Sequence, residues 1–276
     1  MPACLIGEDD DDDDVSLKGG AVYTPDNVIR VANVNIYKGS FGEEKVDGRN
    51  FLKYLARQKY VPDIFVVQNL DHSGDGYHDC REVADKLSKY LEPKSVNYAI
   101  YNPSQRGGAC VIYRGGRFDR TGETAGLGAW TGAGCNEQSM QSVGVRLRDT
   151  KKNKTISVVS VHMPGECTRK NTEELRQWAN ATSSDIRIIA GDFNTNTTAG
   201  YGSIPEMRMA LESNGYRAAT VGGAEIWGPL DWIWRKGQSA VTESKRVEFA
   251  EAMAAGYPTP GMRYSDHRGG FEDLTY

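Results

Sequence analysis

Ile186-Arg187-Ile188-Ile189-Ala190-Gly191-Asp192-Phe193-Asn194 is the stretch on which the fold turns. A short run of branched apolar side chains leads straight into Gly-Asp-Phe-Asn, the pattern of a buried strand that delivers two polar side chains to its C-terminal end. A turn at Gly191, the residue with the widest backbone freedom, lets Asp192 and Asn194 face a cleft. On their own the same four residues also suit an ordinary turn, because Asp and Asn are common turn formers. The surrounding sequence decides between the two.

Outward from this run, Val28–Ile36, Asp63–Gln68, Ala109–Tyr113, Ser142–Leu147 and Thr155–Met163 are also short and β-branched. Asn50–Tyr60, Asp79–Leu91, Asn171–Thr182 and Ile204–Ser213 suit helices. Strands and helices therefore alternate throughout an α/β chain. At 276 residues and 39% hydrophobic, the chain can bury a large core, and two-layer β architectures of this length often stay one domain. Residues 21–276 are read as one catalytic domain and residues 1–20 as an acidic, disordered segment. No segment reaches the ~18 uninterrupted apolar residues of a membrane span, and no repeat is evident.

A second polar signature, Ser265-Asp266-His267, lies near the C-terminus. Between the two, and before them, come Val31-Ala32-Asn33-Val34-Asn35-Ile36, Val66-Val67-Gln68-Asn69, Ser160-Val161-His162-Met163-Pro164 and Leu230-Asp231-Trp232-Ile233. In order and rough spacing, from Val28 to the C-terminus, this set resembles the endonuclease/exonuclease/phosphatase family. Each motif alone is weak; six in sequence are strong. The resemblance implies a four-layer α/β sandwich, two mixed β-sheets packed face to face with helices outside, and a cleft at one end. It also implies a divalent-metal-dependent phosphodiesterase, a nuclease on DNA or RNA, closest to the secreted bacterial nuclease, toxin and sphingomyelinase branches.

The residues carry that chemistry sensibly. A hard cation such as Mg²⁺, with Mn²⁺ and Ca²⁺ as alternatives, takes oxygen ligands and keeps several waters, and the resemblance gives Asp266 and Asn35 this role. It assigns Asp192 to deprotonating an attacking water and Asn194 to holding that residue or the phosphate. His267 would donate to a phosphate oxygen, with Asp231 fixing its tautomer. His162 would protonate the leaving oxygen, at a position where abasic-site repair enzymes usually carry another residue. Only four His occur in the chain, and two fall on these positions. Singly, Asn35, His162 and Asp231 also suit buried or turn positions satisfied by backbone.

One departure stands out. Where the family has Gln-Glu, its Glu the chief metal ligand, this chain has Gln68-Asn69. An amide oxygen brings no charge, so metal affinity should fall unless Asp71 compensates, which it does if extended backbone continues past Asn69 and turns Asp71 to the same face. Arg268 and Arg106 are candidate phosphate contacts; Arg106, Arg114, Arg117 and Arg120 face either a phosphate backbone or solvent.

Charge and cysteine usage give weaker guidance. The formal charge is −4, but the seven acids Glu8 and Asp9–Asp14 supply more than that, and without them the body stands at +3. A mildly basic body is compatible with a polyanionic partner. Five Cys leave one unpaired or all reduced. The family's secreted bacterial members carry cysteines in places comparable to Cys135 and Cys167, which implies a bridge between two cleft-edge loops. Cys80 and Cys110 are a second candidate pair, although Cys110 in an apolar strand equally suits a plain core residue. Met1–Ile6 is too short for a secretory signal, so an extracellular location rests on the cysteines and the resemblance, with the cytoplasm as alternative. The chain is expected to be a monomer. Against the hydrolase stands a repurposed relative that binds a ligand in the old cleft, motivated by Asn69; a phospholipid or small phosphoester is the substrate variant.

Overall fold

Two stretches, Val28–Asn35 and Ile64–Gln68, are buried at every position, as strands covered on both faces must be. They are β1 and β2 of a computed structural model that describes residues 22–36, 48–70, 77–91, 96–102, 108–123, 130–131, 141–163, 177–178, 180–181, 183–194, 204–220, 230–237, 239–248 and 269–276. In chain order the elements are β1, α1 (Arg49–Ala56), β2, α2 (Tyr77–Tyr90), β3 (Tyr98–Tyr101), β4 (Ala109–Arg114), β5 (Phe118–Glu123), β6 (Trp130–Thr131), β7 (Gln141–Asp149), β8 (Lys154–His162), β9 (Ile186–Asp192), α3 (Ile204–Glu212), β10 (Arg217–Thr220), β11 (Asp231–Gly237), β12 (Ala240–Arg246) and β13 (Gly270–Thr275).

The strands form two sheets of the same plan. The first runs β12-β13-β1-β2-β4-β3 and the second β10-β11-β9-β8-β7-β5, with β6 attached to β7. In each, a single parallel pair, β1–β2 or β8–β9, is flanked on both sides by antiparallel neighbours. Side chains alternate across a strand, so one face of each sheet meets the other sheet and the other face meets helices. Ile29, Val31, Ile64, Val66, Val145, Ile156, Val158, Ile188 and Ile233 fill the space between the sheets. Ala32, Val34, Phe65 and Val67 turn outward onto Phe51, Leu55, Val83 and Leu87 of α1 and α2. On the far side Val159, Ile189, Trp232 and Trp234 pack against Met207 and Leu211 of α3. The result is the expected four-layer sandwich of two mixed sheets with helices outside. Each fully buried Val, Leu or Ile contributes roughly 1.5–3 kcal/mol, so the three apolar layers dominate the stability of the fold.

Two sequence expectations change here. Arg114 and Arg117 face neither phosphate nor solvent. Both are buried at the end of the sandwich where β1 and β2 begin: Arg117 donates to Asp149 at 2.9 and 3.0 Å, and Arg114 lies 3.1 Å from Asp63. Arg120 is exposed, its guanidinium over the Tyr101 ring; Arg106 lies outside the described residues. Cys80 and Cys110 form a disulfide, Cα–Cα 6.3 Å, that ties α2 to β4 within the first helix-facing layer, so Cys110 is not a plain core thiol. Cys135 and Cys167 lie outside the described residues, as does the acidic run. The strands β3, β5, β6, β10, β11, β12 and β13 also lie outside the strand runs read from the sequence; β12, at a sheet edge, is mostly exposed and so carries no buried face to betray it.

Candidate active site

The parallel pairs place the site. Their last register partners are Asn35 with Gln68 in one sheet and His162 with Asp192 in the other. Asp231, the first residue of β11, pairs with Asp192 from the other side. All five lie on the inward face, two residues or a multiple of two beyond the apolar positions that fill the gap between the sheets. The space between the sheets therefore changes from Ile, Val and Leu at its middle to amide, carboxylate and imidazole at this one end.

Side chains from both sheets converge on Asp192. Asn35 donates its amide N–H to Oδ2 at 2.9 Å across the gap, the Asn194 backbone N–H donates to Oδ1 at 2.8 Å, and His162 Nε2 stands 3.6 Å from Oδ2. Asn194 in turn donates its side-chain N–H to the Met163 carbonyl at 2.6 Å, which ties the end of β9 to the residue after β8. The backbone that permits this is unusual at two points. Asn194 takes a left-handed conformation, φ 46, which Asn tolerates better than most residues. Gly191 has φ 143, and a Cβ there would lie 2.0 Å from the Val161 carbonyl oxygen, so only Gly allows β9 to approach β8 this closely just before Asp192.

Asp192 is 1% exposed, Asp231 0% and His162 4%. Two carboxylates on directly opposed positions of neighbouring strands, both out of water, repel each other unless a cation lies close. His162 is one candidate for that charge. The oxygen donors at this end are the carboxylates of Asp192 and Asp231 and the amides of Asn35, Asn69 and Asn194, a hard set that fits a cation of the Mg²⁺ class. Among the described residues no group of three or more His, Cys, Asp or Glu forms a ready cation cage.

Asn69, directly after β2, takes a left-handed conformation, φ 58, and the chain then turns so that the Leu70 N–H bonds the Gly108 carbonyl at 3.2 Å. Extended backbone thus stops at Asn69, and the alternation that put Asp71 on its face no longer applies. Asp71, Asp266, His267, Arg268 and Arg106 lie outside the described residues. β13 nevertheless joins the sheet with Gly270 opposite Asn33, at the same end as Asn35, three residues after His267 in sequence. The motif reading passed over Gln68 and Ser160: Gln68 Nε2 donates to Ser160 Oγ at 3.1 Å, between the sheets. Their inward alternation with Val66 and Val158 was the available signal.

Comparison with known proteins gives a consistent picture of the fold. No family model matches the chain, and no curated protein matches it. Solved structures do. An endonuclease/exonuclease/phosphatase protein from Bacteroides vulgatus matches at TM-score 0.59 and 14% identity, over 90% of this chain and 98% of its own. D. rerio TDP2 complexed with a single-strand DNA product matches at 0.57 and 14%, over 90% and 99%, and a Bacteroides thetaiotaomicron mannosyl-6-phosphatase at 0.56 and 11%, over 90% and 100%. With its two mixed sheets, their central parallel pairs and the helices outside them, this chain has the fold of the endonuclease/exonuclease/phosphatase proteins.

Proposed function

We propose that this chain is a divalent-metal-dependent phosphodiesterase that cleaves nucleic acid, with Asp192 as its general base. The observation that supports this reading most is the fixing of Asp192 by groups from both sheets. Asn35 and the Asn194 N–H hold its two oxygens from opposite sides, so the carboxylate is oriented before substrate arrives. Orientation of this kind is what deprotonation of a single attacking water requires.

The remaining roles follow from position. His162, one strand away from Asp192, is placed to protonate the leaving oxygen. Asp231 is placed to orient His267, whose imidazolium would meet charge building on the phosphate. Asn194 holds the end of β9, and Arg268 would bind a second phosphate oxygen. A cation held by Asp266 and the amide oxygens of Asn35 and Asn69 would, when bound, neutralise a non-bridging phosphate oxygen and the paired carboxylates. Residues 21–276 would act as one catalytic domain and as a monomer. The Cys80–Cys110 bridge supports function in an oxidising compartment, hence outside the cell.

The DNA product in the TDP2 structure and the phosphatase among the similar folds span diester and monoester chemistry, so the test must separate them. Supercoiled plasmid, single-stranded DNA, RNA, bis-p-nitrophenyl phosphate and p-nitrophenyl phosphate are incubated with the protein, with and without EDTA. Cleavage of a nucleic acid and of the diester, lost with EDTA, is the expected result; hydrolysis of the monoester alone would replace the proposal with a phosphatase. Asn69 favours one competing reading, a binding protein with a weakened metal site. No hydrolysis of any substrate at high Mg²⁺ or Mn²⁺ would establish it.

A further inference from the structure

One polar link between the sheets lies below the reacting groups. Gln68 Nε2 donates to Ser160 Oγ at 3.1 Å, and Ser160 donates its own hydroxyl proton to the Val67 carbonyl at 3.0 Å. The Ser160 hydroxyl on β8 is thus bound twice to β2, once to a side chain and once to backbone. Gln68 and Ser160 are both 0% exposed, where a broken hydrogen bond is not replaced by water and leaves a buried polar group unsatisfied.

The register makes this link mechanical. Gln68 is the strand partner of Asn35, while Ser160 is two residues before His162 on the same face and partners Ala190, two residues before Asp192. The contact from Asn35 to Asp192 spans the same gap. Above the apolar layer, the sheets are therefore joined at two successive levels: Gln68 and Val67 to Ser160, then Asn35 to Asp192. Apolar side chains resist separation of the sheets but are non-directional, so they do not by themselves fix how far β2 slides along β8. Hydrogen bonds do, because they weaken steeply away from linear geometry and a distance near 3 Å.

We infer that Gln68 and Ser160 are positioning residues, which lock β2 against β8 and so hold Asn35 at hydrogen-bonding distance from Asp192. This inference rests on the proposed role of Asp192. It implies that the Gln of Gln68-Asn69 serves the reaction without touching substrate. Loss of the link would let the facing sheets shift by a fraction of an ångström, enough to misplace the carboxylate and lower turnover while substrate binding stays nearly intact.

The test compares Ser160→Ala, Gln68→Leu, the double variant, Ser160→Thr and Val158→Ala by kcat and KM on bis-p-nitrophenyl phosphate and by thermal unfolding. Val158 is two residues further down the same face of β8 and belongs to the apolar layer, so Val158→Ala reports what loss of core packing alone does. The expected result is a fall in kcat of about tenfold or more for Ser160→Ala and Gln68→Leu with little change in KM. The double variant should be no worse than either single one, and Ser160→Thr, which keeps the hydroxyl, should recover turnover. Val158→Ala should lose stability but not kcat. If Gln68→Leu does not fold, Ser160→Ala and Ser160→Thr suffice. Unchanged kcat in Ser160→Ala, or an equal loss in Val158→Ala, overturns the inference while parental hydrolysis and its loss in Asp192→Ala leave the parent reading standing. A parent that hydrolyses nothing overturns both.

Discussion

The two ends of the sandwich handle buried charge in opposite ways. Where β1 and β2 begin, Asp63 accepts from the Thr24 hydroxyl at 2.5 Å, the Arg30 N–H at 2.9 Å and Arg117 at 3.3 Å, and Arg114 stands 3.1 Å away. Arg117 also serves Asp149, which takes the Tyr276 hydroxyl at 2.6 Å. Burial pulls the Arg117 pKa down, but Asp63 and Asp149 outweigh it and hold it above its ordinary value. Two carboxylates meet two guanidiniums, and their hydrogen bonds knit together residues before β1, after β4 and after β13. At the other end Asp192 and Asp231 sit side by side with amides and an imidazole. The first arrangement is closed to chemistry because its buried acids are paired with guanidiniums. The second holds Asp192 oriented from both sheets, opposite a second carboxylate, which suits groups proposed to meet a cation and a phosphate.

Perturbing the two ends should therefore give different kinds of damage. The largest stability effect belongs to the guanidinium-paired end. Arg117→Met leaves Asp63 and Asp149 buried with less positive charge, and should cost about 3–5 kcal/mol in chemical denaturation while kcat below the unfolding transition is retained. A large fall in kcat without loss of stability would erase the distinction. The disulfide comes next. Replacing Cys80 and Cys110 by Ala should lower stability by about 2–4 kcal/mol, and intact mass without reductant should be two protons below the reduced parent for this bridge; free thiols at both positions would remove the structural argument for an oxidising compartment.

Asn69 sharpens the comparison from the active end. Asn69→Glu restores the family's charge but must hold a left-handed backbone, at a cost of roughly 1–2 kcal/mol, whereas Asn69→Gly keeps the backbone and deletes the amide oxygen. If Asn69 serves the metal, Asn69→Glu should reach half-maximal activity at lower Mg²⁺ and Asn69→Gly at higher Mg²⁺. If it serves only the turn, Asn69→Gly should behave as the parent and Asp71→Ala should be the damaging change.

The smallest effect concerns alkaline pH. Burial, with the hydrogen bond and charge of Asp149, raises the Tyr276 pKa far above its ordinary value of 10.0. A raised folded pKa means the contribution is fully present below the unfolded value and is lost as pH climbs past about 10. Tyr276→Phe should therefore unfold with a shallower loss of stability between about pH 10 and 12; an unchanged slope would show that Tyr276 is not held neutral by Asp149.

What the sequence revealed follows from what is local. Period-two alternation and motif order were enough to put Asn35, His162 and Asp192 at the ends of buried strands, because each lies directly after an apolar run. The helices near Asn50, Asp79 and Ile204 were readable for the same reason. The fate of Arg114 and Arg117 was not, since it depends on Asp63 and Asp149, tens of residues away and brought near only by the sheets. Gln68 and Ser160 were in plain view within quoted motifs, yet their bond exists only once two sheets face each other. Asp71 lies outside the described residues; the alternation that would have put it on the face of Asn69 runs through Asn69, where the backbone turns left-handed.

The most direct test sets one residue from each end side by side. Turnover of bis-p-nitrophenyl phosphate and the free energy of unfolding are measured for Asp192→Ala and Arg117→Met against the parent. The expected result is a crossing: Asp192→Ala loses about 10²–10⁴-fold in kcat and less stability than Arg117→Met, which keeps its turnover. Full turnover in Asp192→Ala would contradict the assignment of this end of the sandwich as the active site.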